Sequence, residues 1–437
     1  MSHPQYPLIM RAVRRFASLA CLLLPLTLPS IAHAETPERP STGSAIAQGT
    51  GYPVTWSTEQ HVTWRVRLSG HAHSSPAVTD DAVIVTALSS DRAEYAILCL
   101  ARSDGSLRWR YTPPAPTTDT DQARDGFPAP TTTPTVQGDT VYVTLPSVGI
   151  VALALETGEL RWHRSNQPAE QNAAPPALGT PLIVDDLLII PHGQTSLIAL
   201  HKQTGQTVWR TTAPHHPPTP PLPADADTEQ VGGPGKAVLR RSATGDEIIV
   251  AMPYQVASFN PTTGRAYWYC TGLGPAVATA PMIQGDRLVA ASRDGSVLAM
   301  QLPTTQSGNV TDTARLWHRP SSDTPYGPAG LIAGEHLYLP DADGNLACIV
   351  VDTGEVVWRR KMTSRIASSL LAAEGRLYLT DHDGVTHVLR AAPQFDQLRT
   401  NTLIEGDTVT ATPTFDRSQI FLRTRTHLYG LGVKSTP

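Results

Sequence analysis

His71 and His73, separated by Ala72, are the first pair along this 437-residue chain whose types and spacing could do chemistry. On a strand, residues i and i+2 share a face, so two imidazoles placed this way could share a metal ion. Sequence places no third ligand beside them, and the reading that asks for less is a polar lining. A second pair, His215-His216, lies in a Pro-rich loop and is expected to be solvated. Asp341-Ala342-Asp343-Gly344 and Asp381-His382-Asp383-Gly384 invite a calcium reading. A calcium loop needs more oxygen ligands and a later Glu, which neither stretch supplies. Ser292-Arg293-Asp294-Gly295-Ser296 has Asp-Gly at the corresponding place, and a hairpin turn accounts for all three without metal. The chain has no nucleophile elbow, phosphate-binding Gly-rich loop or zinc-helix motif, and nothing points to a carboxylate pair for glycoside cleavage. Catalytic, cofactor-binding and metal-binding residues are therefore all assigned as none.

The elements that would hold such residues are set by a repeat. Seven of the eight tryptophans, Trp64, Trp109, Trp162, Trp209, Trp268, Trp317 and Trp358, are spaced 45, 53, 47, 59, 49 and 41 residues apart. A period near ~40–50 residues marks a solenoid, a propeller or a repeat array. Five of them end a shared phrase in which Trp follows Gly by four residues, as in Thr204-Gly205-Gln206-Thr207-Val208-Trp209. Six residues before each Gly stands a small residue: Cys99, Ala152, Ala199, Ser258 or Cys348. An apolar strand, a Gly able to take positive φ and a following strand make a hairpin. Upstream comes a second phrase, small-Pro-apolar, in Ser75-Pro76, Thr133-Pro134, Thr180-Pro181, Ala280-Pro281 and Thr412-Pro413. Proline is tolerated at the first residue of a strand. Each repeat thus reads as four short antiparallel strands, one propeller blade.

Counting blades gives eight, an all-β ring. The fifth carries the polar stretch Thr304–Thr313 where its turn should be, and the seventh has lost its Trp, with Leu398 near the expected position. The last blade, from Thr412-Pro413 to Leu431, stops one strand short. His61–Val66 supplies that strand, so both termini meet in one blade and the ring closes without open edges.

At the N-terminus, Arg11, Arg14 and Arg15 precede an apolar stretch and then Ala32-His33-Ala34. This is the form of a cleavable signal peptide over 1–34, with cleavage after Ala34, a flexible leader over 35–50 and the propeller over 51–434. The protein is expected in the periplasm or outside the cell, without a membrane span. The whole chain has 34 basic and 38 acidic residues; without the three signal arginines the balance is 31 to 38, a net charge of −7. No basic run follows residue 34, so nucleic acid is not an expected partner. Cys99, Cys270 and Cys348 remain after cleavage and are read as small buried residues.

The recurring Ala-Leu…Thr-Gly…Trp phrase resembles the tryptophan-docking repeat of the pyrroloquinoline-quinone (PQQ)-like β-propellers, over essentially the whole mature chain. In that superfamily the Trp is a structural contact between neighbouring blades, which the resemblance implies for all seven. One branch, the quinoprotein dehydrogenases, oxidises alcohols or sugars with PQQ and calcium. The chain lacks that branch's adjacent Cys-Cys pair and a matching Asp, Asn and Glu set, and it is much shorter. The other branch is BamB-like and non-enzymatic, although Ser18-Leu19-Ala20-Cys21 is a poor lipoprotein signal. The expectation is a monomeric, non-catalytic scaffold with no cofactor that binds an envelope or secreted protein partner. The alternative is a small PQQ-dependent alcohol or sugar dehydrogenase, or another enzyme using the central funnel.

Overall fold

Period-two apolar runs bounded by Gly turns form the strands, and the computed structural model arranges thirty-two of them into eight four-stranded antiparallel sheets. The structure describes residues 45–433, apart from 69–73, 91–93, 115–131, 147, 166–177, 194, 216–235, 243–244, 278, 305–307, 323–325, 327, 364, 367, 404–405 and 410. The eight sheets are the blades of an eight-bladed β-propeller. Blade 1 runs from Ala77–Val78 to Leu107–Tyr111, and blade 2 from Thr135–Gln137 to Leu160–Ser165. Blade 3 starts at Leu182–Val184 and ends at Thr207–Thr212; blade 4 starts at Val238–Arg240 and ends at Ala266–Thr271. Blades 5, 6 and 7 end in Arg315–Arg319, Val356–Lys361 and Gln397–Thr402. Blade 8 takes Thr414–Asp416, Gln419–Arg423 and His427–Gly432 from the C-terminus and its outer strand, Val62–Arg67, from the N-terminus. The two-ended blade read from the sequence is the blade observed.

Both halves of the tryptophan phrase have a steric cause. Each Trp lies opposite the small residue of its own blade: Cys99↔Trp109, Ala152↔Trp162, Ala199↔Trp209 and Cys348↔Trp358, with Gly430↔Trp64 in blade 8. Its indole then lies against the Gly turn of the next blade. A Cβ on Gly205 would stand 2.7 Å from Trp162, and one on Gly264 2.5 Å from Trp209. Those glycines hold φ of 69° and 70°, so the turn needs Gly both for its backbone and for the indole. The indole N–H finishes the dock on the carbonyl three residues before that Gly: Trp64 on Arg102, Trp109 on Leu155, Trp162 on Lys202, Trp209 on Pro261 and Trp317 on Val351.

Two ladder positions depart from this arrangement, and in each the next blade has no Gly turn. Blade 5 replaces that turn with the insertion, so Trp268 turns inward and donates to Glu247, which also holds Arg240 and Ser258. In blade 7 the turn carries Phe395, which meets Trp358 edge-on at 5.3 Å. Blade 7 also corrects one expectation. Its last turn is one residue longer than in blades 1–4 and 6, so Val388 faces Arg399, and Arg399, one residue past Leu398, occupies the tryptophan position.

The small-Pro phrase forms an inner belt. Thr135 Oγ1 donates to the Pro181 carbonyl and Thr414 Oγ1 to the Pro76 carbonyl, at 2.9 and 2.6 Å. The Ser369 amide donates to Thr412 Oγ1, and the Leu370 amide to the Ala329 carbonyl. Each bond joins one blade to a neighbour. Hydroxyls are needed there because the first strand is short and its backbone is otherwise unpaired on one side.

Candidate functional site

In a four-stranded antiparallel blade, the turn between strands two and three lies on the same side as the connection to the next blade. The Asp-Gly turns lie there. Asp341 is buried; it accepts from the Asn345 amide at 2.9 Å and pairs with Arg359. Gly344 closes the turn at φ 86°. Asp381 accepts from the Val385 amide and from Thr363 Oγ1, with His387 Nε2 at 3.6 Å. Burial pushes its pKa up, but His387, Thr363 and the Val385 amide more than offset that, and the net shift is downward. Both carboxylates are spent on their own turns, as Asp294 is on Ser296. Among the described residues, no three His, Cys, Asp or Glu side chains are grouped to hold a metal ion.

A hydroxyl, an imidazole and a carboxylate also meet on this side at Thr426, His427 and Asp407. Thr426 Oγ1 is 2.7 Å from His427 Nδ1 and also donates to Asp407, which is 3.7 Å from the same Nδ1. A nucleophile relay needs the hydroxyl on one ring nitrogen and the carboxylate on the other. Here both meet Nδ1, and the threonine proton is directed at the carboxylate, so the geometry holds a loop and does not activate an oxygen. The three cysteines are free and buried, as expected. Burial pushes each thiol to about 11, which keeps it protonated and unreactive at neutral pH.

His71, His73 and His216 lie outside the described residues, as do residues 1–34, where a signal peptide is expected. His215 is not solvated as expected: it is half-buried and stacks on Tyr269 at 5.8 Å, with its amide on Gln255. All seven ladder tryptophans are buried or half-buried and serve the blades.

The surface that stands out is the rim. The eight outer strands together carry thirteen Arg and Lys residues and no Asp or Glu, in a chain whose acidic residues outnumber its basic ones. Beside these cations Leu107, Leu160, Val208, Leu316, Val356 and Val357 are exposed, Leu107 by 58%. The exception explains the rule. Ala266–Thr271 of blade 4 has no Arg or Lys, and the blade 5 insertion covers it: the Tyr269 amide donates to Gly308, the Val310 amide to Tyr269, and the Thr271 amide to Thr311 Oγ1. A free sheet edge invites another strand, and fixed charge is one of the ways to control which strand joins. Sequence reasoning named the repeat and an exposed blade edge as a place for strand addition, but missed the cations that line it. The signal was there in the residues flanking each Trp, such as Arg108 and Arg110 or Arg359, Arg360 and Lys361.

The family model described as outer membrane protein assembly factor BamB matches residues 30–226, 194–311 and 306–398. The chain belongs to this family of PQQ-like β-propellers. BamB from Moraxella catarrhalis superposes with a TM-score of 0.56 at 17% identity, over 85% of this chain and 97% of that one. Europium-containing methanol dehydrogenase gives 0.63 at 13%, over 86% and 94%. Quinohemoprotein alcohol dehydrogenase from Comamonas testosteroni gives 0.60 at 13%, over 88% and 79%. At these identities the likeness shows the fold alone. Among curated proteins none matches the chain. Among the described residues Cys99, Cys270 and Cys348 are all free and none is adjacent to another. No helix among the described residues is long and apolar enough to cross a membrane.

Proposed function

We propose that this propeller is a non-catalytic scaffold of the cell envelope, periplasmic or secreted, that holds protein partners and contributes to outer-membrane protein assembly. The observation that carries this reading is the rim, where uncovered outer strands present aliphatic side chains among arginines and carry no acidic residue of their own, although Arg108, Arg110, Arg161 and Arg359 pair with Asp81, Glu94, Asp139 and Asp341 beside the strands. A partner segment that adds there gains main-chain hydrogen bonds from the edge, and acidic side chains on that segment meet the cations. Family membership supports the envelope setting. Photo-crosslinking in the native host tests it. A crosslinking residue at Val208 or Val357 is expected to trap specific envelope proteins, and Arg360→Glu with Lys361→Glu should cut the Val357 adducts several-fold. If neither position yields adducts beyond those of a control at exposed Gln301, the rim is not the binding surface.

A further inference from the structure

The seam between blades 2 and 3 is built like the seam between blades 5 and 6 and differs from it in one charge. In each, the earlier blade sends an arginine two residues past its Trp to the next blade: Arg164 Nη1 donates to the Gly205 carbonyl at 3.1 Å, and Arg319 Nη2 to the Gly354 carbonyl. In each, the later blade has an arginine one residue past its own Trp, Arg210 opposite Ile198 and Arg359 opposite Ala347. Side chains alternate across a strand, so Arg210 faces back towards blade 2 while Trp209 docks on blade 4. The third position follows Pro340 in blade 6 and Pro191 in blade 3. In blade 6 it is Asp341, which pairs with Arg359, while Arg319 lies over the Trp317 ring at 5.4 Å. In blade 3 it is His192, on the same face as Ile190, which packs in the core between blades 2 and 3. The carboxylate of one seam is thus an imidazole in the other. Among the described residues neither Arg164 nor Arg210 pairs with a carboxylate, and the Arg210 side chain makes no hydrogen bond. Burial lowers the pKa of His192, and Arg210 and Arg164 lower it further; burial and then Arg210 act the same way on Arg164. At neutral pH and above the seam therefore holds two permanent positive charges and a neutral imidazole.

The three groups are open to a solute, since Arg210 is exposed and Arg164 and His192 are half-buried. Their donors narrow its chemistry. Arg210 has its whole guanidinium to give, Arg164 keeps the N–H groups not spent on Gly205, and the imidazole has one N–H. The two guanidinium groups come from facing blades. A carboxylate answers one of them, as Asp341 answers Arg359, and leaves one positive charge over. A phosphate dianion carries both charges and turns oxygens towards each blade at once. We propose that the seam between blades 2 and 3 binds a phosphate dianion between Arg164 and Arg210, with His192 donating a third hydrogen bond. The phosphate is the free ion or the end of a phosphomonoester, and its binding does not depend on a protein partner at the rim.

Isothermal titration of the full chain with sodium phosphate, in Tris chloride near pH 8 at constant ionic strength, tests this. One saturable binding event is expected, and sodium acetate should bind at least tenfold more weakly. Arg210→Gln removes the charge of an exposed side chain that holds nothing in the fold, and should weaken phosphate binding at least tenfold. His192→Asp places a carboxylate where blade 6 has one and should abolish phosphate binding. Glycerol 3-phosphate binding more tightly than inorganic phosphate would assign the site to a phosphomonoester, and the reverse order to the free ion. Absence of saturable phosphate binding by the parent overturns the proposal, as does acetate binding as tightly as phosphate. Phosphate affinity that is unchanged in Arg210→Gln overturns it as well, because the site would then not include the seam.

Discussion

Gly264 and Gly375 hold nearly the same backbone, φ 70° and 72°, but differ in what surrounds them. A Cβ on Gly264 would meet the Trp209 ring at 2.5 Å, whereas one on Gly375 would meet nothing within 4 Å. Gly375→Ala should therefore cost only the left-handed backbone term, about 1–2 kcal/mol. Gly264→Ala adds an overpacked indole and should cost roughly 1–3 kcal/mol more, read as the difference in denaturant midpoints. Equal losses would mean that the turn matters and the dock does not. The second residue-scale prediction concerns acid. Asp381 has a folded pKa below its unfolded value, so its contribution is complete above the unfolded pKa near ~4 and is lost as pH falls through the lower folded value. Asp381→Asn should be less stable than the parent at pH 7, and the gap in Tm should close as pH drops below about 4. A gap that stays constant to pH 3 would remove the carboxylate from the account. Residue identities such as Trp, Gly and Asp-Gly were legible in the sequence because each has one dominant steric or turn-forming use. Their partners were not, because the Gly that receives Trp209 is 55 residues away and belongs to the next blade.

At the scale of the element, the seam between blades 7 and 8 shows how a missing part is replaced. Blade 7 has Arg399 where a ladder tryptophan would stand. The eighth tryptophan of the chain, Trp56, which lies outside the ladder, fills that seam instead. It is 3% exposed and stacks on Tyr378 of blade 7 at 6.5 Å; Phe415, Ile420 and Leu422 of blade 8 line the same crevice. Asn401 fixes the segment, accepting from the Trp56 amide at 2.9 Å and donating to the Val54 carbonyl at 3.0 Å. Trp56→Ala should therefore cost ~3–5 kcal/mol, as much as losing a buried ladder tryptophan. Calorimetry beside Trp209→Ala checks the claim; a loss under 1 kcal/mol would make Trp56 a passenger. Strand number, order and blade count were all readable from the repeat. The filling of this seam was not, since Trp56 carries no Thr-Gly phrase and its partners come from the far end of the chain. The one-residue lengthening of the turn that moved the expected position from Leu398 to Arg399 was equally invisible to spacing alone, because blade 7 has no Trp to mark it.

At the scale of the whole molecule, two N-terminal pieces close the ring and do different work. Residues 45–56 seal one seam: Ala47 donates to Ala372 of blade 7, Tyr52 packs on Phe415, and Ser418 Oγ donates to the Thr50 carbonyl. Val62–Arg67 completes blade 8 and sends Trp64 into blade 1, where Arg102 reaches back to Asp416, to Gln419 at 2.9 Å and over the Phe421 ring. The first piece adds packing to a ring that is already closed, whereas the second removes the free edge of His427–Gly432. A chain beginning at Ser57 should stay monomeric and unfold cooperatively at a lower temperature, because it loses the Trp56 contacts and keeps the strand. A chain beginning at Ser69 also loses the strand and the Trp64 dock on Arg102. It should aggregate or melt without a sharp transition, because an unpaired inner edge is then open to other chains. Size-exclusion chromatography and a thermal scan on both chains separate the two roles. A chain beginning at Ser69 that remains monomeric with unchanged melting would show that the ring does not depend on its N-terminal strand, and the large drop should otherwise fall between the two start points rather than before the first.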